Sequence, residues 1–186
     1  MNLLSNIKNN IKTIQTKERY IHTLGVEEQA IKFAKQFNAD EKKTRIAALL
    51  HDSCKDLSKE CQKFLINDEI IIKKYENYQF IYHAYAAKNY AKLFFNINDS
   101  DILNAITNHV IGRKNMSKLE EIIFLSDYIE KNRIYDSCIK VRNESNFYKQ
   151  MYLTYQYTID YLIKNNQEPL KIQLELRDYY KGVCNE

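Results

Sequence analysis

The chain carries only four histidines, His22, His51, His83 and His109, and each falls on the apolar stripe of a helically spaced segment. His109 completes Ile102, Ala105, Ile106, His109 at i, i+3, i+4, i+7. His83 stands four residues before Ala87 and seven before Tyr90, and His51 stands four after Ala47 and three after Ala48. His22 is in register with Val26, Gln29 and Phe33, with Gly25 a weak point in any helix there. Two aspartates behave alike. Asp127 extends the inner face traced by Leu119, Ile122, Ile123 and Ser126, where a leucine belongs, and Asp52 follows Ala48 by four. Imidazoles and carboxylates are the side chains that move protons near neutral pH and ligate divalent cations. Each buried without a partner costs roughly 1–3 kcal/mol, against a total stability of about 5–15 kcal/mol. Six of them must therefore satisfy one another, by mutual hydrogen bonds or around a cation that replaces their lost hydration. Their number favours one shared site.

The adjacent pair His51-Asp52 narrows the geometry. Neighbours on a helix diverge by about 100°, so both reach one ion only when it lies between them near a helix end. The following SCKDLSKE reads as one helix finishing and another starting at Ser58. A histidine lies 29 residues upstream of His51, and Asp127 lies 75 downstream of Asp52. Nitrogen and carboxylate ligands without thiolate suit Fe, Mn, Co or Ni in an open octahedral shell better than structural zinc. The four cysteines, Cys54, Cys61, Cys138 and Cys184, form no C-x-x-C pair and read as reduced, ordinary small apolar residues.

The elements that must position these groups read as helices throughout. Ala30, Phe33, Ala34 and Phe37 follow helical spacing, as do Ala87, Tyr90, Ala91 and Phe94, and Tyr152, Tyr155, Ile159 and Leu162. Asp40, Ser58 and Asp99-Ser100 mark helix starts, Ser117-x-x-Glu120 is a capping-box pattern, and Gly112 reads as a stop. Pro169 reads as the start of a C-terminal tail. A length of 186 residues predicts one all-α domain able to bury its own core. Three glycines and one proline exclude collagen-like and turn-dense all-β chains. No run reaches the roughly 18 apolar residues of a membrane helix, and no export signal is evident, so a cytoplasmic protein is expected. A net charge of +4 without blocks of like charge leaves anionic ligands open and gives no nucleic-acid footprint. The 15 tyrosines and 8 phenylalanines offer many surfaces on which a base could stack.

RYIHTLGVEEQA, AALLHDSCKD and AITNHVIGRKNMSKLEEIIFLSDYIEKNR carry the order H…HD…D. That order resembles the HD-domain metal-dependent phosphohydrolase superfamily. The three segments, spanning roughly 19–135, are similar to its YqeK-type branch of symmetrical diadenosine tetraphosphate hydrolases. The resemblance implies an HD-type bundle of about seven to nine helices over residues 1–186. Its metal-site core would occupy about 19–135, with a C-terminal helix and tail over about 146–186. His22, His51, Asp52 and Asp127 would bind the metal, with iron expected first and Mn, Co or Ni as alternatives. Asp52, Lys55, His83 and His109 would serve catalysis, and Lys55, His83, His109 and Arg133 would face phosphates or a second metal position. The substrate would be a dinucleoside polyphosphate and the product ADP. Neither nucleic acid nor membrane is an expected partner, and a homodimer is an open alternative. The chain departs from the family at YHAYAA, where H-G-P is usual, at the lysine of DYIEKNR, and in EPLKIQLELRDYY, which matches its H-P-x-T segment only loosely. Three rival readings share these residues: another nucleotide phosphohydrolase on the same scaffold (a nucleotidase or cyclic-nucleotide phosphodiesterase), a non-catalytic nucleotide sensor, and a helical interaction protein with a hydrogen-bonded polar core.

Overall fold

Most helices open on a side-chain oxygen that accepts a free amide of the first turn, which is why their starts are legible. Asn2, Thr16, Asp40 and Ser58 cap α1 (Leu3–Ile14), α2 (Lys17–Gln36), α3 (Glu41–Leu50) and α4 (Lys59–Ile66). Asp68, Asp99 and Ser117 cap α5 (Glu69–Lys74), α7 (Ser100–Asn108) and α8 (Lys118–Ile129). At α8 the capping box is complete, with Glu120 accepting from the Ser117 amide at 2.8 Å. Asn146 caps α10 (Phe147–Lys164), whereas α6 (Tyr82–Phe95), α9 (Asp136–Arg142) and α11 (Lys171–Val183) open without such a cap. A short 3-10 segment, Glu76–Ile81, leads into α6. The computed structural model describes residues 2–184, so the ends of the expected domain range, residue 1 and residues 185–186, lie outside the described residues.

Among the described residues there are eleven α-helices and no strand, which corrects the expected seven to nine. The excess comes from pieces too short to show a full apolar period, α5 with 6 residues and α9 with 7, and from α11. The segment read as a tail after Pro169 is helical. Leu176 and Tyr180 bury its inner face, and Gln173 supplies the missing cap by accepting from the Leu170 amide at 3.0 Å.

The core lies where α2, α3, α7 and α8 pack on one another, with α6 joining through α7 and α4 through α6. Ile46, Leu49, Leu50, Ile106, Ile122, Ile123 and Leu125 fill it. α10 packs on α8 and α9, and α11 packs on α10. Phe124, Tyr155 and Tyr180 stack in sequence at 4.7 and 5.8 Å, tying α8, α10 and α11 together, and the Tyr180 hydroxyl donates to Glu121 at 2.8 Å. No described helix is long and apolar enough to cross a membrane.

Candidate metal centre

α2 brings His22 to the middle of the bundle, and it does so without a break at Gly25, contrary to the weak point expected there. Glycine at that position leaves room for a neighbouring side chain. A methyl group on Gly25 would overlap the Glu130 carboxylate, which packs directly on α2. α3 ends at Leu50, and His51 and Asp52 follow as its cap and the first turn beyond, at the helix end the sequence predicted. His83 lies in the first turn of α6, so YHAYAA is helical from Tyr82 onward. His109 caps the C-terminus of α7, and the chain continues in a turn to Gly112 at φ 76°, the stop read from the sequence. Asp127 sits in the last turn of α8.

All six groups meet. His22 Nε2 lies 3.0 Å from Asp127 Oδ1 and 3.9 Å from Asp52 Oδ2. His51 Nε2 lies 3.7 Å from Asp52 Oδ2 and 3.9 Å from Asp127 Oδ1. On the other side of Asp52, Oδ1 is 3.1 Å from His83 Nε2 and 3.4 Å from His109 Nε2. Lys55 Nζ stands 3.3 Å from His83 Nδ1. Arg133 Nη2 donates to Asp127 Oδ1 at 2.7 Å. The side chains of the four histidines and Asp52 are at most 11% exposed, and the Asp127 side chain at 19% marks the open edge.

The opposite nitrogens show what the cluster is built to hold. His51, His83 and His109 each place Nδ1 on the main-chain oxygen three residues back, on Ala48, Phe80 and Ile106, at 2.6, 2.7 and 2.7 Å. A carbonyl only accepts, so these Nδ1 atoms carry the hydrogen and the Nε2 lone pairs face inward. His22 Nδ1 takes the same role against Glu130 Oε1 at 3.2 Å. His83 Nε2 and His109 Nε2 thus confront each other at 3.2 Å, lone pair to lone pair, beside a carboxylate. That arrangement is favourable only with a proton or cation between them. Nε2 of His22 and of His51, both buried, have no aligned hydrogen-bond partner. His22, His51 and Asp127 form one group of ligand atoms close enough to share an ion, and His51, Asp52 and His109 form a second. An inward imidazole held by an outer acceptor is the standard arrangement of a metal-binding histidine, and the residues fit a divalent cation.

The electrostatics agree. Burial lowers the His51 imidazole to about 3 and that of His83 to about 4, so both are neutral ligands at neutral pH. Burial would lower His22 too, but the Asp127 carboxylate 3.0 Å from its Nε2 and the hydrogen bond to Glu130 reverse this and raise it to about 9. Burial works to raise both aspartates. Contacts with His51, His109 and His83 nonetheless hold Asp52 well below the usual carboxylate range, and Arg133 with His22 does the same for Asp127. Without a cation, a proton on His22 takes the place of one unit of positive charge.

Two contributors were not singled out in the sequence. Arg19 donates to Asp52 Oδ2 at 2.7 Å, and Glu130 anchors His22 while accepting from the Asn132 amide at 2.8 Å. The signal was present in the spacing, since Arg19 is three residues before His22 and Glu130 three after Asp127. Arg142 fixes the turn that runs on from Glu130 by donating to the carbonyls of Ile129, Glu130 and Arg133.

Residues 19–132 match the HD domain family. A Halalkalibacterium halodurans protein named symmetrical bis(5'-nucleosyl)-tetraphosphatase is 38% identical over 84% of this chain and 86% of its own. A Bacillus subtilis protein of the same name is 35% identical over the same shares. The crystal structure of a Clostridium acetobutylicum protein, described as a predicted HD superfamily hydrolase involved in NAD metabolism, superposes with a TM-score of 0.88 at 31% identity, covering 96% of both chains. By matched segment, by relatives that share about a third of its residues along most of their length, and by fold, the chain belongs to the HD domain family.

Proposed function

We propose that the protein is a metal-dependent phosphoanhydride hydrolase that splits diadenosine tetraphosphate at its centre into two molecules of ADP. The observation that carries this reading is the convergence of four inward Nε2 atoms on Asp52 and Asp127, a donor set that calls for positive charge at its centre. Two relatives that align over most of the chain and bear the name symmetrical bis(5'-nucleosyl)-tetraphosphatase support the choice of substrate. His22, His51, Asp52 and Asp127 hold the cation, and their nitrogen and oxygen donors suit Fe, Mn, Co or Ni, of which the family resemblance puts iron first.

A bound divalent cation supplies an activated water near neutral pH and polarises the attacked phosphoryl group. The chain's own residues do the rest. Asp52 and Asp127 accept hydrogen bonds from the attacking water and orient it. Lys55, whose ammonium sits beside His83, and Arg133, on the exposed edge of Asp127, neutralise the non-bridging phosphate oxygens. His83 and His109 face the same carboxylate oxygen with Nε2 unprotonated, so either can take the proton that the attacking water gives up and pass it to the departing ADP. Equivalent halves of the substrate on the two sides of the attacked bond make ADP both product and leaving group.

Chromatography of the products is the test. Metal-loaded protein given diadenosine tetraphosphate yields ADP alone. ATP with AMP, or free phosphate, contradicts the reading, and tight ADP binding without turnover would make the protein a sensor.

A further inference from the structure

We propose that the cavity enclosed by α8, α9 and α10 beside Arg133 seats the purine base of one nucleoside half of the substrate, an inference that rests on the dinucleotide reading above. The cavity measures about 360 Å³, within the roughly 300–1,000 Å³ of small-ligand sites. It opens at the edge of the metal centre. Arg133 lines it while its Nη2 sits 2.7 Å from Asp127 Oδ1, and Tyr128, the residue after Asp127, forms part of its wall.

The walls suit a flat aromatic ring. Tyr128 from α8, Tyr157 and Tyr161 from α10 and Tyr135 just before α9 converge on it, and Ser137 and Thr158 add hydroxyl-bearing side chains to the lining. Tyr135 is 69% exposed and Tyr161 65%, so broad phenol surfaces stand open to solvent at this place. Tyr155 and Tyr180, by contrast, cover each other in the stack under α11. A purine laid on such faces gains stacking, and its ring nitrogens and exocyclic group find rotatable hydroxyls at the edge. A guanidinium at the mouth, already turned towards the metal centre, meets the phosphate attached to that nucleoside. The apolar cavities around Phe64 and Leu93, on α4 and α6, include no residue of the centre and lack this continuity.

The test compares ADP with inorganic pyrophosphate, each titrated calorimetrically into metal-loaded full-length protein, wild type and Tyr135→Ala/Tyr161→Ala. Both side chains are largely exposed, so the variant keeps its fold, which its melting midpoint checks. The wild type binds ADP at least tenfold more tightly than pyrophosphate. In the variant the Kd for ADP rises about tenfold or more, pyrophosphate changes less than twofold, and Tyr135→Phe/Tyr161→Phe restores ADP binding. Three results would overturn the inference: no preference for ADP in the wild type, an unchanged ADP affinity in the variant, or equal weakening of ADP and pyrophosphate. Binding is read without turnover, so the two claims fail separately. Protein that seats ADP here yet leaves diadenosine tetraphosphate intact sinks only the functional reading. Protein that cleaves it with ADP affinity unmoved in the variant sinks only the cavity.

Discussion

Each of the four histidines has its Nδ1 hydrogen committed before any ligand arrives, three to a main-chain carbonyl and His22 to Glu130. The three carbonyls belong to the helical turn that carries the histidine, so those tautomers need no further partner. His22 differs, because its anchor comes from another helix and depends on Gly25 leaving room for it. Glu130→Ala and Gly25→Ala are therefore expected to weaken metal binding by about 10–100-fold. Calorimetric titration with Mn²⁺ checks this, and unchanged affinity in both variants would show that His22 needs no anchor. The histidines and Asp127 were legible because each breaks an apolar stripe. Arg19 and Glu130 were not, because a charge near the end of a helix is ordinarily solvated, and only contact across helices gives these two a role.

At the scale of elements, starts were easier to read than stops. Side-chain caps such as Asp40, Ser58 and Ser117 announce themselves in sequence, whereas glycine, the usual terminator, occurs only three times. Asparagine does much of that work here. Asn38, Asn67, Asn96, Asn115 and Asn166 all adopt positive φ, and Asn67 and Asn96 are the left-handed caps of α4 and α6. In a chain so rich in asparagine this signal does not stand out. Helix α11 escaped because its cap is a glutamine three residues in and its apolar positions are few. At Asn67, φ 47° with an exposed side chain isolates the backbone effect. Asn67→Ala is expected to lower stability by about 1 kcal/mol and Asn67→Gly to preserve it, by urea unfolding. Equal losses in both would assign the cost to the lost amide rather than to the backbone.

For the molecule as a whole, the centre couples folding to both pH and metal. In metal-free protein His51 at about 3 and His83 at about 4 lie below the ~6.5 of an unfolded chain. Their contribution is present above about 6.5 and is lost as pH falls towards 4, because the unfolded state then binds more protons. His22 has the opposite sign: held at about 9, its contribution is complete below about 6.5 and is lost as pH rises through 9. The melting midpoint of chelator-treated protein should peak near pH 6.5 and fall on either side. A midpoint flat from pH 4 to 9 would mean that the cluster does not hold these proton states. Added Mn²⁺ raises the midpoint, since an ion at 100 times its Kd contributes about 2.7 kcal/mol. The bundle architecture and the convergence of distant polar groups could be read from helical periodicity alone. The tyrosine-walled cavity could not, because its rings come from α8, α10 and the turn before α9, and only their packing brings the four together.

Elemental analysis of protein purified without chelator, wild type beside His51→Ala, bears most directly on whether these residues form a metal centre. The account predicts at least one first-row transition metal ion per wild-type chain and its loss from a folded His51→Ala. A metal-free wild type that still hydrolyses diadenosine tetraphosphate, or a variant with undiminished metal, would contradict it.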